Sequence, residues 1–284
     1  MLVMGNSKLA FSKVQMALKY KYNSLEDYLI SKPFNIDGEL DDGWGAHFPV
    51  KGREIDATII FSDITAFSKR TLNMNPIETL IFVNNYFSWI SAEALRDRPG
   101  IVDKYIGDEI MVIFSNEFGS ENHFIDALQT ARWMSENDVL SFGPHIGIAS
   151  GSVVVGYVGT PIKYNCSVFG KPVALAARCA SIISGTFRSG GSIKFPAELW
   201  KDYDLNTIFP PRTFKGPDNQ DLQREQLWEL LPKRTEKIKN MPNIEIIEIV
   251  NNLLHMPSQS AEERAKEAFV ALKKKGLYRK FSDQ

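Results

Sequence analysis

The sequence predicts an α+β fold, a ferredoxin-like sheet flanked by helices, and three observations predict it. A β-rich run, Ala57-Thr58-Ile59-Ile60-Phe61, ends at Ser62-Asp63. A helix with a strong start follows at Asn75-Pro76, where an N-cap residue precedes proline at the first helical position. A hairpin through Gly107-Asp108, a helix and further strands come next. The order strand, helix, hairpin, helix, strand is that of a split βαβ sheet with helices on one face.

Taken along the chain, residues from about Leu9 to Ile30 show helical spacing, and Pro33 and the Asp- and Gly-rich stretch Asp37 to Gly45 break it. This gives an N-terminal helix and linker over 1–48, a main domain over 49–232 and a C-terminal helical extension over 233–284. Within the main domain, the helix from Asn75 should bury Leu80, Val83, Phe87, Ile90 and Ala94 and stop before Pro99-Gly100. The hairpin spans Lys104 to Phe114, and a helix runs from Asp126 to Asn137. Glycines punctuate His145 to Val158, which reads as a strand pair. The small residues of Val173 to Ile183 predict a closely packed helix. Short strands near Ser192–Phe195, Thr213–Gly216 and Gln226–Leu231 close the domain. After Pro232 the chain turns charged, then carries Ile244–Leu254 and a helix over Ala261–Leu277. That helix has an acidic start, a basic end and a glycine stop, so Lys273-Lys274-Lys275 is a dipole-matched terminus and not a nucleic-acid patch.

Composition excludes several classes. The 284 residues are 44% hydrophobic and 24% charged with net charge −1, ordinary for a globular protein and without the basic excess a nucleic-acid binder needs. Cys166 and Cys179 form neither a disulfide framework nor zinc spacing. No apolar run approaches the ~20 residues that span a bilayer, and Met1 to Tyr22 has no signal-peptide core. The expectation is a cytoplasmic protein with no membrane and no nucleic-acid partner.

Asp63 and Asp108 carry the chemistry. Each is a lone carboxylate at the end of an apolar strand, and in a ferredoxin-like sheet the first strand and the hairpin are neighbours. Two hard oxygen ligands at one point suit Mg²⁺ or Mn²⁺ held between carboxylates and substrate phosphates. Gly107-Asp108 is equally a good turn, because Gly and Asp tolerate positive φ.

Five segments in order resemble the catalytic domain of class III nucleotidyl cyclases, from about Ile55 to Leu231. They are Phe61-Ser62-Asp63-Ile64-Thr65-Ala66-Phe67, Lys104-Tyr105-Ile106-Gly107-Asp108-Glu109, Gly147 to Gly151, Gly156 to Gly159, and Phe169-Gly170-Lys171-Pro172-Val173 leading to Arg178. The resemblance implies that Asp63, Asp108 and the Ile64 carbonyl bind two ions, Mn²⁺ or Mg²⁺, per site. Backbone N–H groups from Ile64 to Phe67, at an expected helix start, are placed to cradle phosphate oxygens of a nucleoside triphosphate. Arg178 matches the arginine that stabilises the pentavalent phosphorus, and Lys215 the lysine that reaches the terminal phosphates; either is also a plausible surface ion-pair partner. The position of the ribose-orienting asparagine is Ala174 here.

The family reads its base with a pair that falls on Lys104 and Ser167. Lysine donates only, so it faces a base acceptor, which disfavours GTP; serine donates or accepts and discriminates little. Residues 49–58, Ala174 and the short format are similar to the pyrimidine cyclases of bacterial antiphage (Pycsar) defence, which implies UTP or CTP as substrate, UTP slightly ahead. It also implies a downstream effector that binds the cyclic nucleotide, and a homodimer with composite sites, the aspartates from one chain and the base pair and arginine from the other. An adenylate cyclase, or an inactive nucleotide-binding module of the same fold, are the alternatives.

Overall fold

The computed structural model describes residues 21–41, 43, 47–95, 98–136, 142–160, 163–184, 191–215, 221–239, 241–252 and 270. The expected helical stretches over 9–20 and, apart from Val270, over 261–277 lie outside them.

The elements are α1 (Leu25–Ile30), β1 (Ile36–Asp41), β2 (His47–Asp63), α2 (Phe67–Thr71), α3 (Pro76–Ser88) running into a π-helical turn (Trp89–Ala94), β3 (Gly100–Ile106) and β4 (Glu109–Phe114). They continue as α4 (His123–Glu136), β5 (His145–Thr160), β6 (Lys163–Phe169), α5 (Lys171–Ser181), β7 (Ser192–Pro196), α6 (Leu205–Ile208), β8 (Arg212–Lys215), β9 (Asp221–Glu225), β10 (Trp228–Leu230), β11 (Arg234–Glu236) and β12 (Ile244–Asn251). The main sheet runs β10-β12-β7-β5-β2-β4-β3, with β1 on β2, β11 on β12 and β6 on β5, while β8 and β9 form a separate ribbon. Its centre, β5-β2-β4-β3, is the ferredoxin-like order, and the pairs within it are antiparallel.

The helices of that motif, α3 and α4, lie on one face, where Phe82, Tyr86, Phe124 and Leu128 bury Ile60, Val112 and Ile148. Here the expectation of one helical face is too narrow. Helices α1 and α5 cover the opposite face, over Ile59, Met111, Ile113 and Ala149. Central strands buried on both faces explain why Ala57–Phe61 is apolar but for Thr58, whose hydroxyl bonds His123 and Ser150.

The start of α3 forms as expected. The Asn75 side chain accepts from the Ile77 and Glu78 N–H groups at 3.0 Å, and the Glu78 carboxylate accepts the Asn75 N–H at 3.1 Å. Such a reciprocal cap contributes about 1 kcal/mol. The buried stripe is shifted, however. Phe82, Tyr86 and Ile90 are buried whereas Leu80 is 61% exposed. The two aromatic rings take the core side of the regular helix, and the π-helical turn follows at Trp89–Ala94.

Two further expectations are corrected. His145 to Val158 is not a strand pair but one continuous strand reaching Thr160, and the strand that forms a hairpin with it is β6. Its glycines serve close approach: a Cβ on Gly147 would lie 2.0 Å from the Ala176 carbonyl oxygen of α5. The stretch 37–45 is not only linker, because Ile36–Asp41 pairs antiparallel with β2.

The largest correction concerns 233–284. Ile244–Asn251 is a strand, not a helical extension, and it lies between β7 and β10 inside the sheet. Five of its eight residues are Ile or Val, which favour the pleated surface. Its two glutamates have different fates: Glu245 is exposed, and Glu248 is fully buried. Glu248 accepts from Arg234 at 2.5 Å and from Ser184 at 2.6 Å, and lies opposite buried Lys194. Burial pushes the Lys194 ammonium down to about 8, with Glu248 opposing the shift. Replacing Glu248 by alanine should therefore cost about 3–5 kcal/mol, since it leaves the buried Lys194 without its facing carboxylate and removes the acceptor of Arg234. Urea unfolding reads this as a lowered midpoint; an unchanged midpoint would show that the pair contributes no stability.

Candidate active site

Strand β2 delivers Asp63 to the sheet end, opposite Glu109 of β4 and His145 of β5. The β3–β4 turn delivers Asp108. It is a two-residue turn with Gly107 at φ 63 and Asp108 outside the positive region, the type II′ pattern with glycine first. The turn and the carboxylate site are thus the same two residues.

The Asp63 and Asp108 carboxylates meet within hydrogen-bonding reach. Burial, the Asp108 carboxylate and the nearby Glu109 charge push Asp63 up to about 8, against a hydrogen bond from the Ile64 N–H. Glu109 is raised as well, by burial and then by Asp108. His145 beside them is held down to about 4 by burial and by the Lys194 charge, so it is neutral and adds no cation. Asp63 Oδ1 is buried and accepts no hydrogen bond. Two facing carboxylates with an unserved oxygen are a donor set that fits hard divalent cations. Among the described residues no group of three His, Cys, Asp or Glu side chains forms a metal cluster.

The segment after Asp63 turns sharply. Ala66 has φ 54, the one positive value outside glycine among the described residues. For a residue with a Cβ that costs about 1–2 kcal/mol, and such strain concentrates where function fixes the backbone. The Thr65 hydroxyl donates to the Gly143 carbonyl and the Ser62 hydroxyl bonds Tyr86 at 2.7 Å, which pin the turn to the protein. Of the four N–H groups expected to cradle phosphate, Ile64 serves the Asp63 carboxylate and Phe67 donates to the Ile64 carbonyl at 3.3 Å. Thr65 and Ala66 are the two whose N–H groups donate to no backbone group among the described residues. The Ile64 carbonyl keeps a second lone pair for a cation. Phe61, which the resemblance implies is a substrate-binding residue, is 5% exposed and packs in the core under α5.

Arg178 lies in the last turn of α5. Close packing of Ala176 and Ala180 on β5 turns Lys171, Ala174 and Arg178 outward, all exposed. Arg178 has no ion-pair partner among the described residues. Lys215 ends β8, its backbone paired with Asp221, and its side chain lies outside the described residues.

Lys104 and Ser167 meet although β5, β2 and β4 separate their strands in the sheet. Lys104 Nζ donates to Ser167 Oγ at 2.5 Å. Only a strongly coiled sheet brings β3 and β6 together this way. The sequence reading missed a third member. Ser167 Oγ donates to Asp103 Oδ2 at 2.9 Å, and Lys104 Nζ lies 3.1 Å from the same oxygen. Strand alternation would put Asp103 and Lys104 on opposite faces, but the β3–β4 register shifts between Val102 and Lys104. An acid adjacent to Lys104 was visible in the sequence; the bulge was not.

Comparison with known proteins agrees with this geometry. Residues 50–186 match the family described as Adenylate and Guanylate cyclase catalytic domain. An uncharacterised protein of Mycobacterium tuberculosis is 27% identical over 214 residues, which cover 74% of this chain and 34% of that protein. An adenylate cyclase of Anabaena cylindrica is 32% identical over 135 residues, 43% of this chain and 26% of the relative. The chain thus spans about a third or less of the length of these relatives. Among solved structures, the adenylyl cyclase CyaB from P. aeruginosa superposes with a TM-score of 0.53 at 17% identity, covering 74% of this chain and 99% of that one. The fold is that of a class III cyclase catalytic domain, and residues 50–186 match the adenylate and guanylate cyclase family over just under half of the chain.

Proposed function

We propose that the protein is a nucleotidyl cyclase acting on a pyrimidine nucleoside triphosphate, UTP ahead of CTP, with its product a second messenger in antiphage defence. The observation that carries the cyclase reading is the facing pair Asp63 and Asp108 on a cyclase fold. In the reaction the ribose 3′-oxygen attacks the α-phosphorus, loses its proton, and pyrophosphate leaves. Two Mn²⁺ or Mg²⁺ ions, held by Asp63, Asp108 and the Ile64 carbonyl, would supply the charge that acidifies the 3′-hydroxyl and steadies the leaving group. The Thr65 and Ala66 N–H groups bind phosphate oxygens. Arg178 spreads its fork over the equatorial charge, and Lys215 holds the terminal phosphates. Lys104 and Ser167 hold the base.

Arg178 points outward, away from the body of its own chain, which supports the composite homodimer. Exposed Tyr105, Ile106, Val158, Tyr164 and Phe169, on the β3–β4 and β5–β6 hairpins, offer apolar surface for a second copy. The Lys104 donor disfavours GTP and leaves adenine, uracil and cytosine open; support for a pyrimidine comes from residues 49–58 and from Ala174, and the signal then acts through a cyclic-nucleotide-binding effector. A second reading, ATP as substrate, is favoured by the relative from Anabaena cylindrica, whose name is adenylate cyclase. No helix among the described residues is long and apolar enough to cross a membrane.

The test is incubation with Mn²⁺ and each of the four ribonucleoside triphosphates, with the product identified by mass. Cyclic UMP should dominate and cyclic CMP follow. A profile led by cyclic AMP overturns the pyrimidine assignment, and no product from any triphosphate overturns the cyclase. Lys104→Glu should lower UTP turnover by about ten- to a hundredfold, because it sets acceptor against acceptor and a second carboxylate beside Asp103. Unchanged turnover would show that Lys104 does not read the base.

A further inference from the structure

We infer that Asp103, the bulge residue of β3, is a specificity-determining residue of the base site, accepting an N–H of the substrate base while Lys104 and Ser167 donate. The inference rests on the cyclase reading above and deepens it. Asp103 lines a cavity of about 400 Å³ together with Lys104, Ser167, Tyr157, Tyr164 and Cys166. That volume is within the range of small-molecule sites. Its carboxylate is 2% exposed, whereas the Lys104 side chain is 40% exposed.

Three features set this acid apart from a surface ion-pair partner. The bulge places two consecutive side chains on one face, and bulges recur where a strand must re-aim a side chain beside a site. Both contacts of the carboxylate, from Ser167 and from Lys104, fall on Oδ2. Oδ1 accepts no hydrogen bond among the described residues, yet it is not sealed among the buried, unpartnered atoms. On this inference Oδ1 is the acceptor that meets the base.

The pocket therefore presents a donor and an acceptor side by side, in contrast to the donor-only pocket that Lys104 alone implies. Uracil offers the matching edge, with O4 for the ammonium and N3–H for the carboxylate. Cytosine offers N3 and its amino group in the same two roles. Asp103 also fixes Lys104: through Ser167 it closes a three-membered ring that limits where the ammonium can point. A carboxylate confined in this way discriminates by cost, because a base whose edge brings an acceptor opposite Oδ1 leaves two acceptors facing each other.

The experiment compares wild type with Asp103→Asn on all four ribonucleoside triphosphates, reading kcat/KM for each. In parallel, binding of the four 3′-deoxynucleoside triphosphates, which cannot cyclise, is measured by calorimetry with Mn²⁺. The expected result is that the ratio between the preferred base and the next falls about tenfold or more in the variant, in turnover and in binding alike. A purely structural role would lower all four substrates by one factor and leave the ratio unchanged, and that result overturns the inference. If Asp103→Asn does not fold, Ser167→Ala, which releases the carboxylate, should relax the same ratio; an unchanged ratio there overturns it equally. Selective binding without turnover in the wild type would sink the cyclase reading and leave the base site tested by binding alone. Absence of base selectivity in the wild type, in both assays, overturns the role of Asp103.

Discussion

Asp63→Ala and Asp108→Ala should each lower cyclic-nucleotide formation by at least about a thousandfold while the protein stays folded. The two carboxylates lie against each other, and repulsion and burial hold Asp63 up to about 8. Either substitution relieves that repulsion, so stability should be kept or raised slightly. What is lost is charge compensation at the phosphate, which is worth several kcal/mol in a transition state, and 4 kcal/mol is about a thousandfold in rate. Two measurements check it, product formation and Mn²⁺ binding by calorimetry, and both should fail together in a variant with wild-type circular dichroism. Because a cation competes with the proton on this pair, Mn²⁺ affinity in the wild type should rise as pH rises towards about 8 and then level off. Full turnover by folded Asp63→Ala would remove the carboxylate pair from the mechanism.

The second large effect is recovery of activity by mixing two inactive proteins. Asp63→Ala and Arg178→Ala chains should each be inactive alone. Arg178 is exposed on the outer side of α5 and has no ion-pair partner among the described residues, so its complement is expected from a second copy. If the site is shared between two chains, a mixed dimer holds one site with both lesions and one with neither. Free exchange makes half of the dimers mixed, so recovery to roughly a quarter of wild type is expected. Exchange is followed with differently labelled chains, and no recovery despite exchange would place the whole site within one chain.

Much of the central fold was legible because its signals are local. The Asn75-Pro76 start needs only four consecutive residues, and the Gly107-Asp108 turn needs only two that tolerate its backbone angles. The neighbourhood of Asp63 and Asp108 followed from element order, since a ferredoxin-like sheet leaves few places for the hairpin. Strand β12 was not legible, because Ile244 to Asn251 carries glutamates at a spacing that a helix would expose. One of them, Glu248, is buried only because Arg234 and Ser184, distant in sequence, meet it. The length of β5 was hidden for a related reason. Glycine reads as a turn when its neighbours are unknown, and Gly147 is glycine because a helix backbone rests on it.

The sequence by itself determined the order of the elements, the two carboxylates at strand ends, and the pairing of Lys104 with Ser167 through resemblance. These follow from residue type, spacing and motif. The tertiary structure alone decided that Asp103 joins Lys104 in the same cavity, that Phe61 belongs to the core, that helices cover both sheet faces, and that the C-terminal run is a strand. Each of these depends on what a residue meets across the sheet: one extra residue in β3 reverses the face of a side chain, and a buried partner decides whether a charge lies inside or out. A local pattern carries no record of either.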